Sequence, residues 1–431
     1  MLKRKIYDDL LRWKARPEKK ALVVNGARQV GKTFIIEAFI REQYPYAATI
    51  NFIEKPQFRQ VFEGELSADA VISQMTLLLP EVVFERGKTA ILLDEIQACP
   101  AAITALKFLS RDGRFDVIAT GSMLGMSYKD VASFPVGFVE RMEMHSLDFE
   151  EFLWANGVSH EHIEMLRDCF ESMSPVPPAM HERMLGLFRE YIVVGGMPEV
   201  VDKYVGSHHF GEVLALQRGI VRDYTDDIAK YAEGSEKAKA RECFLSIPKQ
   251  LSRDYKKFRY SVVEKNGSAR KYGGSLEWLF DAGITNFCHN LERIALPFEG
   301  SAAADAFKVY MRDTGLLVAM LEDGAQADII SGNMGIYKGA LYENIVADIF
   351  GKAGKKLYYY EYRSQIEMDF FIRRHGIATA VEVKSADHTK SKSMNAIISN
   401  YGVERGIKLS SKNVGSAGAV DTIPLYMAMF L

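Results

Sequence analysis

Cysteine is scarce: Cys99, Cys169, Cys243 and Cys288 are the four in 431 residues, widely spaced and without a CxxC pair. That spacing excludes a disulfide framework and a thiolate zinc site, and it suits a reducing compartment. No apolar run approaches the roughly 18 residues of a membrane span. The N-terminus, Met1-Leu-Lys-Arg-Lys-Ile-Tyr-Asp-Asp-Leu, is charged where a secretory leader needs an apolar core, so a cytoplasmic chain without membrane partners is expected. Charge of one sign is also missing, because 54 Lys and Arg stand against 56 Asp and Glu. A protein that coats nucleic acid over its whole surface is thereby excluded, and only a local basic patch is left open. The nine histidines show no ligand spacing: His160 and His162 are two apart, and His208 and His209 are adjacent.

What is present is a globular composition, 48% apolar and 26% charged. At about 150 residues per domain the length suggests roughly three domains. Over the first 150 residues short apolar runs (Ala21 to Val24, Ala90 to Leu93, Phe115 to Ala119) alternate with helical patterns, which predicts a parallel α/β sheet. From Leu147 to about Ala232 strands are scarce, and Ser174-Pro-Val-Pro-Pro-Ala179 splits a run of helix formers, as in a helical lid. From Ser235 come a helix, a basic helix, a glycine-punctuated helix and a strand pair, an order that suits a winged helix. After Asp323-Gly-Ala-Gln-Ala-Asp328 a last α/β segment follows. The expected fold is therefore α/β, divided into a parallel-sheet core (1–150), a lid (151–234), a winged-helix-like middle (235–325) and a C-terminal α/β domain (326–431).

Residues Gly26-Ala-Arg-Gln-Val-Gly-Lys-Thr33 match GxxxxGK[ST] between an apolar strand and a helical pattern, the context a phosphate-binding P-loop requires. Here Gly26, Ala27, Arg28, Gln29, Val30 and Gly31 present backbone N–H groups to phosphate, Lys32 reaches the β- and γ-phosphates, and Thr33 ligates magnesium. The strand Ala90-Ile-Leu-Leu-Asp-Glu95 ends in two acids, of which Asp94 is expected to hold Mg2+ and Glu95 to orient the attacking water. A third strand ends in Thr120-Gly-Ser122, where Thr120 or Ser122 is a candidate γ-phosphate sensor. Arg111, Arg114 and Arg141 are candidates for an arginine finger, with the choice left open.

Near the C-terminus, Gln365 to Lys384 reads as two strands around His375-Gly376. With those two as turn residues, Asp369 falls opposite Glu382 and Glu367 opposite Lys384. Alternation then places these four polar groups on one face and Met368, Phe370, Val381 and Val383 on the other. Carboxylates directly across a strand pair repel unless a cation lies between them. Asp369 and Glu382, with Lys384 beside them and Glu343 on the preceding helix, are thus a candidate magnesium site for phosphodiester hydrolysis, the alternative being an exposed hairpin with charge pairs.

Between Lys249 and Lys271 there are eight basic residues and two acidic ones, interleaved with Tyr255, Phe258, Tyr260 and Tyr272. This composition fits a nucleic-acid contact, or a solvated basic face. Gly195-Gly-Met-Pro198 reads as a tight turn at a helix boundary or a lid hinge.

Together these segments, with Leu92-Leu-Asp-Glu-Ile-Gln97, Phe149-Glu-Glu-Phe-Leu153, Tyr224-Thr-Asp-Asp-Ile228 and Tyr342-Glu-Asn344, resemble a widespread prokaryotic family. Its members are AAA-type ATPases carrying a C-terminal domain similar to restriction endonucleases. The resemblance implies ATP binding with Mg2+ and a winged-helix-like middle. It also implies a nuclease-type fold whose Asp and Glu-x-Lys signature falls on Asp369, Glu382 and Lys384. Where the family usually reads Pro-Val-Gly-Lys, this chain has Pro135-Val-Gly-Phe138, and no sensor-2 arginine is evident in the lid. The expected function is an ATP-hydrolysing switch coupled to a DNA-binding, nuclease-like domain, in a homo-oligomer or with a protein partner. The alternatives are a nucleotide-gated regulator with an inactive nuclease fold, and a sensor that binds ATP without hydrolysing it.

Overall fold

The computed structural model describes residues 1–122, 135–231, 236–253, 256–333, 338–362, 366–384 and 392–431. Ala232, Ser235, Asp254, Tyr255, Gln365 and the side chain of Ser122 lie outside the described residues. The chain forms two compact units, 3–146 and 147–431.

In the first unit five strands, β1 (Ala21–Gly26), β2 (Tyr46–Asn51), β3 (Thr89–Asp94), β4 (Asp116–Ser122) and β5 (Val139–Glu143), form one sheet in the order β2-β3-β4-β1-β5. Every neighbouring pair is parallel. The apolar runs are continuous because both faces are covered. Leu22, Val24, Ala90 and Leu92 pack with Leu10, Trp13, Ile36 and Phe39 of the helices Lys5–Lys14 and Lys32–Gln43. Ala21, Val23, Ile91 and Leu93 pack on the other side with Val71, Met75, Leu106 and Leu109 of the helices Ala68–Leu78 and Pro100–Asp112. Since β4 lies between β1 and β3, the loop after β1 and the acids ending β3 open at the same edge of the sheet, where ligands of open α/β sheets bind.

The second unit begins with Asp148, which caps the helix Phe149–Ala155 reciprocally with Glu151. Helices follow to Tyr231. Its sheet has eight strands: β6 (Thr285–Leu291), β7 (Ala302–Met311), β8 (Leu357–Tyr362), β9 (Ile366–Arg374), β10 (Ile377–Val383), β11 (Arg405–Ser410), β12 (Gly415–Ala417) and β13 (Val420–Pro424). Their order is β12-β13-β11-β10-β9-β8-β6-β7. The expected strand pair is present as antiparallel β6 and β7, but β6 also pairs in parallel with β8, so the boundary drawn at 325 falls inside one hydrogen-bonded sheet. The stretches expected as lid, middle and C-terminal domain accordingly share one compact unit.

Gly195-Gly196 shows how they are joined. It lies between the helices Pro178–Val194 and Pro198–Ser207, with Gly195 at φ +72°. Gly196 donates to Asp313 at 2.8 Å and accepts from the Leu147 N–H at 2.7 Å. A Cβ on Gly196 would stand 2.0 Å from the Leu147 carbonyl, so three distant segments meet there with no room for a side chain. The position is a tight turn at a helix boundary, fixed by close backbone approach.

Candidate functional site

The loop after β1 curls through positive φ at Gln29 (62°) and Gly31 (89°) and enters the helix Lys32–Gln43. Gly26 is required for a different reason: its missing Cβ would lie 2.2 Å from the Met144 carbonyl, which follows β5 alongside. The buried Arg4 braces the loop, donating to the carbonyls of Val30 (3.2 Å) and His145 (2.7 Å). Lys32 is buried, and its ammonium rests on the carbonyls of Gly26 (3.1 Å) and Ala27 (2.7 Å). Burial lowers its pKa to about 8 against the opposing pull of Glu95 and Asp94, and Arg28 adds to the lowering.

Asp94 is the hub of this edge and is 2% exposed. Thr33 Oγ1 donates to its two oxygens at 3.1 and 3.2 Å, Asn51 Nδ2 donates to Oδ2 at 2.9 Å, and Thr120 Oγ1 donates to Oδ1. Thr120 thus orients Asp94 at the strand end where a γ-phosphate sensor was expected. Ser122 pairs through its backbone with Gly26. Glu95 adopts a left-handed conformation (φ 53°) and accepts a hydrogen bond from Gln97 Nε2. A carboxylate and a hydroxyl already in contact, ringed by neutral donors, fit a magnesium ion carried in with nucleotide. Among the arginine-finger candidates, Arg114 is held by Asp112 at 2.8 Å and by Asp69, Arg111 is exposed on the helix Pro100–Asp112, and Arg141 lies in β5. Asn51, Arg4 and Gln97 were not anticipated. The only sequence signal for Asn51 is a polar residue ending the apolar strand Ala48-Thr-Ile50, and the register sets it beside Asp94.

The C-terminal hairpin has the expected turn, His375 and Gly376 both at positive φ (49° and 82°), and the expected register, with Ile377 opposite Arg374 through Val381 opposite Phe370. Strict alternation does not hold on β9. Tyr358 pairs with Phe371 and Tyr360 with Met368, so three steps of β9 oppose two of β8, a bulge at Asp369-Phe370. Met368 and Phe371 consequently join one core with Ala380, Met394 and Ile397, whereas Phe370 packs on Tyr310 and on Phe350 of the helix Lys338–Lys352. The expected grouping of Met368 with Phe370 is thus corrected.

The candidate metal ligands are divided in consequence. Asp369 accepts from the Val383 N–H at 2.7 Å, and its carboxyl is pushed up to about 7, first by burial and then by Glu343, with Lys308, that N–H and Lys256 opposing. Glu343 is neutralised by Lys256, by Lys308 at 3.6 Å and by the Tyr310 hydroxyl at 3.1 Å, while Lys308 also binds Glu367 at 2.8 Å. Glu382 follows the alternation of β10 to the Ala380 side and pairs with Lys384 at 2.5 Å. Among the described residues no three His, Cys, Asp or Glu side chains are arranged to hold a metal. The expectation of Glu343, Asp369 and Glu382 as joint magnesium ligands is not met among the described residues: Glu343 is paired with Lys256 and Lys308, Asp369 accepts from the Val383 N–H, and Glu382 pairs with Lys384 through Oε1 while its Oε2 is buried without a partner. No helix among the described residues is long and apolar enough to cross a membrane.

Residues 18–153 match the family model described as "AAA domain", and two domains of unknown function match residues 185–327 (DUF8612) and 338–426 (DUF4143). No curated protein matches the sequence. Among solved structures, the chain is similar to the Walker-type ATPase PABY2304 of Pyrococcus abyssi, at 15% identity and a TM-score of 0.45 over 74% of this chain and 96% of that one. It is also similar to the Aeropyrum pernix ORC1 protein solved in complex with DNA, at 11% identity and a TM-score of 0.28 over 76% and 90%. The family match and the P-loop geometry together show that residues 18–153 are similar to AAA-type P-loop ATPase domains.

Proposed function

We propose that the chain is an ATP-hydrolysing switch whose second unit binds DNA and whose nuclease-like C-terminal segment is not a nuclease. The observation that carries the first part is the convergence of Thr33, Asn51 and Thr120 on Asp94 beside Lys32 and Glu95. The loop N–H groups and Lys32 would bind the phosphates, and Thr33 and Asp94 would hold Mg2+. When bound with nucleotide, that ion neutralises charge on the phosphate oxygens. Glu95 would position the attacking water and accept its proton, and Gln97 steers the Glu95 carboxylate.

DNA binding is supported by the order of elements from 236 to 311: helix Glu236–Leu251, a backbone bridge from Phe258 N–H to the Phe307 carbonyl (2.8 Å), short helix Tyr260–Val263, helix Ala269–Asp281, then β6 and β7. This is the order of a winged helix, and it carries the basic stretch. The lysine-neutralised carboxylates favour the inactive nuclease reading over cleavage.

Phosphate release and duplex-DNA affinity measured in ATP, ADP and nucleotide-free forms, for wild type and Glu95→Gln, test the proposal. The variant is expected to bind ATP, to lose release by about a hundredfold, and to keep the DNA affinity of the ATP form. Unchanged release in the variant would reject hydrolysis through Glu95. Equal DNA affinity in all three forms would reject coupling, and magnesium-dependent cleavage of the DNA would reject the inactive nuclease.

A further inference from the structure

Asn51 ends β2, the edge strand of the first sheet, and the register sets it beside Asp94. Its Oδ1 accepts from two successive backbone N–H groups, Ile53 and Glu54, at 3.0 Å each, which closes the turn that leaves the strand. With the oxygen spent on those donors the amide orientation is fixed, and Nδ2 is delivered to Asp94 Oδ2 at 2.9 Å. A backbone bond from the Phe52 N–H to the Asp94 carbonyl (3.2 Å) holds the two strand ends together. Closing the turn needs only an acceptor, which aspartate or serine supplies as well. Accepting from the turn while donating to a carboxylate needs an amide, and aspartate here would set a second negative charge against Asp94. The donor is therefore the part of Asn51 that the turn does not explain.

That donor completes the coverage of Asp94. Oδ1 accepts from Thr120 and Thr33, and Oδ2 accepts from Asn51 and Thr33, so each oxygen of this buried carboxylate has two contacts. A carboxylate offers about four lone-pair sites. With those sites engaged, Asp94 meets an arriving ion best through that ion's own water, whereas an oxygen stripped of one donor is open to bond the metal directly. Divalent ions differ in how they answer this choice. Mg2+ dehydrates reluctantly and keeps several waters, while Ca2+ takes roughly six to eight oxygen ligands in flexible geometry and accepts direct carboxylates.

We propose that Asn51 is a positioning residue that selects the ion: by covering Oδ2 it keeps Asp94 from bonding the metal directly and so favours Mg2+ over Ca2+ at the nucleotide site. The inference rests on the reading of Thr33 and Asp94 as the holders of an ion that arrives with nucleotide. Thr33 ligates the ion in that reading, which leaves Thr120 on Oδ1 and Asn51 on Oδ2 as the donors that stay with Asp94 once the ion is bound. Partners one shell removed from a metal shift its affinity by about ten- to a hundredfold when they are lost.

The test uses the full chain with a non-hydrolysable ATP analogue. Mn2+ held by the complex is followed by electron paramagnetic resonance and displaced in separate titrations by Mg2+ and by Ca2+, so the readout is the ratio of two affinities and not turnover. Asn51→Ser keeps an acceptor for the turn but is too short to reach Asp94, and Asn51→Asp keeps the shape and the acceptor but has no N–H. In both, affinity for Ca2+ relative to Mg2+ is expected to rise by about tenfold over wild type. A ratio unchanged in either variant, or a loss of both ions together, would show that Asn51 only supports the strand end and would overturn the inference. Wild type that fails to bind the analogue with any of the three ions would instead reject the nucleotide-site reading itself.

Discussion

Asp369→Asn should stabilise this protein at alkaline pH, and the size of the effect follows from what surrounds the carboxyl. Burial and the neighbouring Glu343 push it up to about 7, with Lys308, the Val383 N–H and Lys256 pulling the other way. The unfolded chain releases the same proton near pH 3.9. Between these values the folded state holds more protons, so stability is greatest at the acid end, falls as pH rises from about 4 to 7, and stays lost above. Three pH units at about 1.4 kcal/mol each set a ceiling of about 4 kcal/mol. Charge is shared with Glu343 and water reaches part of the residue, so about 2 kcal/mol is the expected penalty at pH 8. Asparagine keeps the shape and an oxygen for the Val383 N–H but carries no charge. Urea unfolding followed by circular dichroism at pH 5, 6.5 and 8 should show the variant gaining on wild type as pH rises. A variant less stable than wild type at pH 8, by an amount that does not change with pH, would mean that Asp369 is a needed anion and would refute the reasoning.

Lys32 is held near pH 8 by burial, so it is charged at neutral pH and loses its proton just above. The affinity for a fluorescent ATP analogue should therefore fall between pH 7 and 9, and a flat profile would show that the ammonium does not grip phosphate. Gly196→Ala places a Cβ 2.0 Å from the Leu147 carbonyl, a backbone clash that no rotamer relieves. It is expected to cost at least about 3 kcal/mol in thermal or chemical unfolding of the second unit, and a melt within a degree of wild type would contradict that close approach.

The P-loop was legible because its signal is local. Glycines, lysine and threonine stand within eight residues of one another, and the strand and helix around them are written in continuous and periodic apolar runs. Asn51 and Arg4 were not legible because their roles are created by sheet order. Asn51 reaches Asp94 only because β2 and β3 are neighbours, and Arg4 reaches Val30 and His145 only because β5 runs beside β1. Thr120 was picked out as a polar strand end, but its contact with Asp94 was not legible, since nothing in the sequence shows that β4 sits between β1 and β3 and turns it toward that carboxylate. The strand pair at 285–311 is antiparallel, as expected of a pair, but its parallel partner β8 was not legible because it lies 46 residues beyond Met311, at Leu357.

The hairpin shows how small a non-local feature decides chemistry. Its turn and register follow from two residues, His375 and Gly376, whose positive φ values set which residues of β9 and β10 face each other. Strict alternation from that register would gather Asp369, Glu382 and Lys384 on one face, as a metal-dependent hydrolase needs. The bulge against β8 adds one residue at Asp369-Phe370, a step that the hairpin's own sequence does not encode. Asp369 is thereby turned toward Glu343, where Lys256 and Lys308 have supplied the positive charge, and Glu382 is left with Lys384. One inserted residue in a strand changes the parity of every side chain beyond it, and any convergence of Asp369 with Glu382 depends on that parity.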